Sequence, residues 1–259
     1  MTGGTGEGGS DLELMNRSLG FAAMCFLTVV PLMIVLAAAD PPQAAGFAHW
    51  LSRALSTSAA AELEIQQLFA PPRRVLRATT SFSLAALALF GVTFAAAVQT
   101  GYEKVWDLEP ARSASSHARV LALHVLWLCL LVGYVLLFTN TPLRSESVIT
   151  TFQGTAGAVL ITLMVLWASQ KILLGGRTGW KALLPGALAS TVGLLGLRLL
   201  SHLVFSPLIV ASAVAYGIVG TILVVQTWFV GVGFVLYGGA FVGRVLYEEG
   251  WPRTRRRHG

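Results

Sequence analysis

Apolar residues fall in six long blocks along the chain, at about 19–39, 78–100, 120–139, 152–170, 182–205 and 214–242. None of the six holds an aspartate or glutamate. A helix needs roughly 20 predominantly apolar residues to cross the hydrocarbon of a bilayer. It is also the simplest structure that satisfies its own backbone there. The pattern therefore predicts an all-α fold, a polytopic membrane bundle of six transmembrane helices. The last block exceeds what a bilayer requires, so it must tilt, kink or protrude. Gly231, Gly233, Gly238, Gly239 and Gly243 give it places to bend. Pro31 predicts a kink in the first block, and Pro185 is a first-turn proline of the fifth.

Between the first two blocks lies the only long connection, from Asp40 to Arg77. Phe47, Trp50, Leu51, Ala54 and Leu55 recur in it at helical spacing, and Leu63, Ile65, Leu68 and Phe69 follow before Pro71 and Pro72. This predicts an amphipathic helical loop, lying on the membrane surface, capping the bundle or packing on the other helices. Residues 1–18 are glycine-rich and polar at their start and read as a disordered cytoplasmic N-terminus. Residues 19–243 form the transmembrane domain, and 244–259 a basic cytoplasmic tail. With no basic region or cleavage site ahead of it, the first block reads as a retained signal anchor.

Composition agrees with a lipid environment: 55% of the 259 residues are hydrophobic and 12% charged, against about 25% charged in soluble domains. Orientation follows from lysine and arginine. With both termini in the cytoplasm, twelve of these residues lie inside and five outside, and Arg198 falls within a span. Trp106, Trp167, Trp180 and Trp251 fall on the inner side, where an aromatic belt belongs. Arg73, Arg74 and Arg77 oppose this arrangement, standing just before the second span on its outer side. Arg253, Arg255, Arg256 and Arg257 suit contact with anionic lipid headgroups. No aromatic residues alternate with them, which argues against nucleic acid as a partner.

Arg198 is the sharpest local signal. An ionised side chain in a span faces a cavity, a partner or the interface. His202 follows one turn later and Thr191 precedes by two turns on the same helical face. The three form a candidate substrate-binding site for an anionic solute or lipid. The alternative is an arginine that snorkels to the interface or holds helices together. His124, Asn140, Gln153 and Gln226 read as interhelical hydrogen-bonding groups. Gly239 and Gly243 make a GxxxG pair that packs against a neighbouring helix. Small-residue faces of this kind could also join copies of the chain.

Enzyme chemistry finds no support. The five histidines show neither HxH nor HExxH spacing, the aspartates Asp11, Asp40 and Asp107 fall in loops, and no nucleophile elbow or phosphate-binding loop occurs. The expectation is no catalytic residue, no metal and no cofactor. Cys25 and Cys129 sit inside apolar blocks and read as small hydrophobes. With these boundaries, proton coupling through an intramembrane carboxylate is excluded.

Several local motifs, in order, resemble those of the YihY/virulence factor BrkB family of bacterial inner-membrane proteins. These are Leu27-Thr28-Val29-Val30-Pro31-Leu32, the segment Gln99 to Leu108 reading Q-T-G-Y-E-K-V-W-D-L, Leu184-Pro185-Gly186-Ala187, and Tyr216-Gly217-Ile218-Val219-Gly220. The family often closes its last span with G-A-E-x-N. Here Gly239-Ala240 is followed by Phe241, Val242 and Gly243, so the acid and amide are missing. The resemblance implies six helices with cytoplasmic termini in a bacterial plasma membrane. It implies no settled activity: members have carried a ribonuclease BN label, against which this residue inventory argues. Two readings follow, a transporter or binder of an anionic or amphipathic solute or lipid, and a non-transporting protein that organises the envelope.

Overall fold

The computed structural model describes residues 15–29, 61, 63, 76–109, 117–140 and 148–249. Apart from short turns they are helical, and no strand occurs among them. Residues 15–29 form α1. It is followed by α2 (Leu76–Val105), α3 (His117–Asn140), α4 (Val148–Leu173) and α5 (Trp180–Leu200), then by a π-helical turn (Ser201–Phe205), α6 (Ser206–Tyr216) and α7 (Ile218–Glu248).

Five helical runs are long and apolar enough to cross a membrane: Ala85–Val105, His117–Leu137, Ala156–Leu173, Trp180–Tyr216 and Val219–Glu248. The first predicted span is helical as far as residue 29, and its remainder lies outside the described residues. Several boundaries differ from those read in the hydropathy: the last helix runs on to Glu248, and the fifth begins at Trp180, which puts Pro185 inside the helix and not in its first turn. The second span continues five residues past Thr100, through Gly101-Tyr102-Glu103-Lys104 to Val105. The fifth does not stop near Phe205. It widens into one π turn, in which the Ser206 amide donates to the Ser201 carbonyl five residues back, and then continues as α6. A proline ring clashes with the carbonyl four residues before it; the wider turn falls just ahead of Pro207. The chain reverses at Gly217, whose φ of +61° suits glycine, so Val214 belongs to the incoming helix and not to the last span.

Apart from α6, which continues α5, successive helices run antiparallel. Arg17 and Thr28 on α1 donate to the carbonyls of Gly101 and Phe90 on α2. Phe94 on α2 packs on Trp127 of α3. Tyr134 on α3 meets Thr162 on α4, and the Trp167 indole of α4 donates to the Trp180 carbonyl of α5. Phe21, Phe94, Trp127, Tyr102 and Tyr237 build a continuous aromatic core, with ring centroids 5.3–6.2 Å apart. Ala61, from the long connection, is fully buried in a second apolar cluster with Phe205, Ile209, Val225 and Trp228, while Leu63 is exposed. At that point the connection packs into the bundle.

α5 and α7 pack backbone against backbone, and small residues make it possible. A Cβ on Gly243 would lie 2.4 Å from Gly186 Cα, and one on Gly239 would lie 2.7 Å from the Ser190 backbone nitrogen. Further along, Gly193 meets Val235 and Leu197 meets Gly231. The GxxxG pair therefore packs within the chain, against the glycine of the Leu184-Pro185-Gly186-Ala187 motif. Backbone at these distances cannot yield to a methyl group. Gly243→Ala is expected to cost about 1–3 kcal/mol of stability. Gly196→Ala, whose Cβ would meet nothing within 4 Å, should be neutral or stabilising by up to about 1 kcal/mol. Thermal unfolding of the two detergent-solubilised variants checks the contrast.

Candidate functional site

The three residues singled out on the fifth span part company. Thr191 is buried, and its hydroxyl donates to the Ala187 carbonyl one turn back at 2.8 Å. Arg198 and His202 are both exposed, with the π turn beginning between them. Around Arg198 the surface is made of Val192, Leu195, Leu199 and Leu203, all exposed. Eighteen residues separate Arg198 from Trp180, about 27 Å along a helix, nearly the hydrocarbon thickness of about 30 Å. Arg198 is therefore at the midpoint of the continuous Trp180–Tyr216 run, about one hydrocarbon thickness from Trp180.

Within electrostatic reach of Arg198 is Tyr134 of α3. Its hydroxyl lies 2.9 Å from Thr162 Oγ1 on α4. Thr162 spends its single proton on the Ala158 carbonyl at 2.8 Å, so Tyr134 is the donor of the pair. Tyr134 and Thr162 thus form a polar contact between α3 and α4 that feels the charge of Arg198 on α5. Periodicity along one helix could not find it, because each member comes from a different element.

The larger polar cluster lies around the last turn of α2, and it corrects an expectation. Glu103 is inside a helix long and apolar enough to span, and its side chain is 5% exposed. Carboxylates are therefore not confined to loops. Its Oε1 accepts from Gln99 Nε2 at 2.8 Å and pairs with Arg177 Nη2. Gln99 Oε1 lies 2.5 Å from Nε2 of His124 on α3. A carboxylate only accepts, so the Gln99 amide must turn its NH2 toward Glu103 and its oxygen toward His124. His124 must then carry its proton on Nε2. Two of the four polar residues read as interhelical groups are thereby placed. His124 makes such a bond, Gln226 has a buried Oε1 with no hydrogen-bond partner among the described residues, and the side chains of Asn140 and Gln153 lie outside the description.

Cations surround this end, and backbone carbonyls hold them. Arg17 donates to the Gly101 carbonyl, and Arg244 donates to that of Val105 at 2.9 Å, an acceptor that the end of the helix leaves open. Arg177 also donates to the carbonyls of Glu109 at 2.6 Å and Leu174 at 3.0 Å. Lys171 donates to the Thr178 carbonyl at 2.5 Å and lies over the Trp180 ring. The segment Gln99 to Leu108 is thus the hub of this end, with Gly101 leaving room for the Tyr237 ring, 2.4 Å from where a Cβ would stand. Among the described residues no three His, Cys, Asp or Glu side chains come together as a metal site. The tail arginines 253, 255, 256 and 257 lie outside the described residues, as do Arg73, Arg74 and the side chain of Arg77.

A family model described as virulence factor BrkB matches residues 9–258. No curated protein and no solved structure gives a match.

The Glu103–Arg177 pair is asymmetric, since the guanidinium side chain is 31% exposed. Removing the cation strips a buried carboxylate of counter-charge; removing the acid leaves a cation that water can reach. Arg177→Met is therefore expected to cost about 3 kcal/mol and Glu103→Gln distinctly less, as read from denaturation midpoints of the two variants.

Proposed function

The chain belongs to the virulence factor BrkB family, and from that membership and the placement of Arg198 we propose that it binds and moves an anionic amphiphile or lipid across a bacterial inner membrane. The observation that carries this reading is a permanent cation among exposed leucine and valine side chains on a membrane-spanning helix. A ligand matched to that surface needs a negative head and an apolar body. Arginine suits the head because it stays charged and offers a planar fork to phosphate or carboxylate. His202, exposed one turn away, and the Tyr134 hydroxyl add polar groups beside it.

Orientation supports a headgroup ligand. Arg17, Lys104, Lys171, Arg177, Lys181 and Arg244 belong to the end of the bundle where α2 finishes, where the positive-inside tendency puts the cytoplasm. Both termini then face the cytoplasm, the tail arginines meet anionic headgroups of that leaflet, and Arg198 reaches toward the opposite one. The protein acts in this reading without catalytic residues or a cofactor.

Phosphatidylglycerol is expected to raise the thermal unfolding midpoint of the purified protein more than phosphatidylcholine does. Arg198→Ala should weaken that lipid's binding by about tenfold, equal to 1.4 kcal/mol, and Arg198→Lys should retain part of it. In proteoliposomes, Arg198→Ala should also slow the passage of a fluorescent phosphatidylglycerol between leaflets. A variant that loses stability without lipid, while its response to phosphatidylglycerol is unchanged, would favour an envelope-organising role instead.

A further inference from the structure

We propose that Glu103, Gln99 and His124 form a proton-binding site that locks and releases the turn between α4 and α5. This device is independent of what binds at Arg198, at the midpoint of the Trp180–Tyr216 run.

The lock is the pairing of Glu103 with Arg177. Glu103 is fixed: it sits on α2, its side chain is buried, and Gln99 holds it from one turn away. Arg177 is on the turn, which is built on two successive left-handed glycines, Gly175 with φ +60° and Gly176 with φ +79°. Nothing would meet a Cβ on Gly176 within 4 Å, and a Cβ on Gly175 would lie 3.8 Å from Leu123 Cδ1, next to His124. One partner is therefore locked in the helix core, and the other is half-exposed on a segment with room to move.

The proton enters through the balance of charge. When the Glu103 carboxylate takes up one proton it becomes a neutral acid, and Arg177 keeps its charge but loses its counter-ion. A neutral acid tolerates burial, whereas a carboxylate tolerates it only with cations and donors around it. Proton uptake and departure of Arg177 thus favour each other, as linked equilibria must. The protonated acid can also donate, which frees the Gln99 amide from its single orientation and passes the change on to the His124 tautomer.

The other ionisable groups near this end have contacts of their own, and some of these also brace the turn, as do the bonds of Arg177 to the Glu109 and Leu174 carbonyls. From α1, Arg17 rests on the Gly101 carbonyl. From α4, Lys171 is tied to the carbonyls of Gly176 and Thr178. From α7, Arg244 is tied to Val105 and Glu248, and Tyr237 packs edge-on against Tyr102. On α2 and just after it, Lys104, Asp107 and Glu109 are exposed and remain in contact with water whichever state the turn adopts.

Amide exchange reads the turn directly, because the amides of Leu174, Gly175, Gly176 and Arg177 are all hydrogen-bonded in the closed form. The experiment uses the full chain in phosphatidylglycerol–phosphatidylcholine nanodiscs, with exchange times scaled for the intrinsic pH dependence. In the wild type, protection at 175–177 is expected to fall about tenfold as the pH is lowered, along a one-proton curve. Glu103→Gln should be poorly protected at every pH, and His124→Leu should keep a one-proton curve with a displaced midpoint. A flat wild-type profile, or a Glu103→Gln profile that follows the wild type, overturns the proposal. If Glu103→Gln fails to fold, Glu103→Asp decides: a displaced midpoint supports the lock, and an unmoved one overturns it.

Discussion

Hydrocarbon offers a polar group nothing, so each such group in a span must be answered by the chain itself or lie at a boundary. The bundle meets this constraint in two ways. Hydroxyls are answered locally. Thr28, Thr93, Thr100, Thr162, Thr191, Ser201 and Thr227 each donate to the carbonyl four residues before it. Groups too long or too polar for that answer gather between helices. Gln99, Glu103 and His124 meet near one end of the molecule, and Tyr134 meets Thr162 between α3 and α4, within electrostatic reach of Arg198. The helix termini obey the same rule. Arg244 takes the open carbonyl of Val105 at the end of α2, Arg17 donates to Gly101 nearby, and both charges complement the negative end of its dipole.

This division explains which parts of the architecture were legible in the sequence. Apolar blocks near 20 residues long announced the helices, and the glycines at 239 and 243 announced a close approach. The helix boundaries were hidden, because hydropathy ends where polarity begins and a helix need not. Gln99-Thr100-Gly101-Tyr102-Glu103 reads as the approach to a loop, yet the backbone stays helical because its polar side chains find partners on α3 and the 174–179 turn. Pro207 likewise reads as a stop after Phe205, and one wide turn carries the helix past it. Thr191 shares a face with Arg198 by periodicity, but its hydroxyl is used within its own helix. Spacing along a sequence tells which side chains share a face and says nothing of the partner each one takes.

Polar atoms remain inside the bundle that neither device answers. Gln170 is fully buried, and both ends of its amide lack a hydrogen-bond partner among the described residues; the hydroxyls of Ser169, Ser190 and Thr221 are in the same state. Gln170 Oε1 lies 3.3 Å from where a Cβ of Gly186 would stand, and Ser190 lies against Gly239. Gln170 and Ser190 therefore sit where α4, α5 and α7 converge, beside the close backbone approach of Gly186 and Gly243, while Thr221 is near the start of α7. Small residues there trade side-chain packing for proximity, and a buried amide without a partner is a further cost of that arrangement.

The turn at Gly217 joins the two helices of that approach with almost no intervening chain. From Leu199 to Gly243 the sequence runs for 45 residues without a lysine, arginine, aspartate or glutamate. A hairpin tip with no formal charge crosses hydrocarbon at low energetic cost. The last two membrane-crossing segments can therefore enter a bilayer as a pre-paired unit, zipped along their glycines.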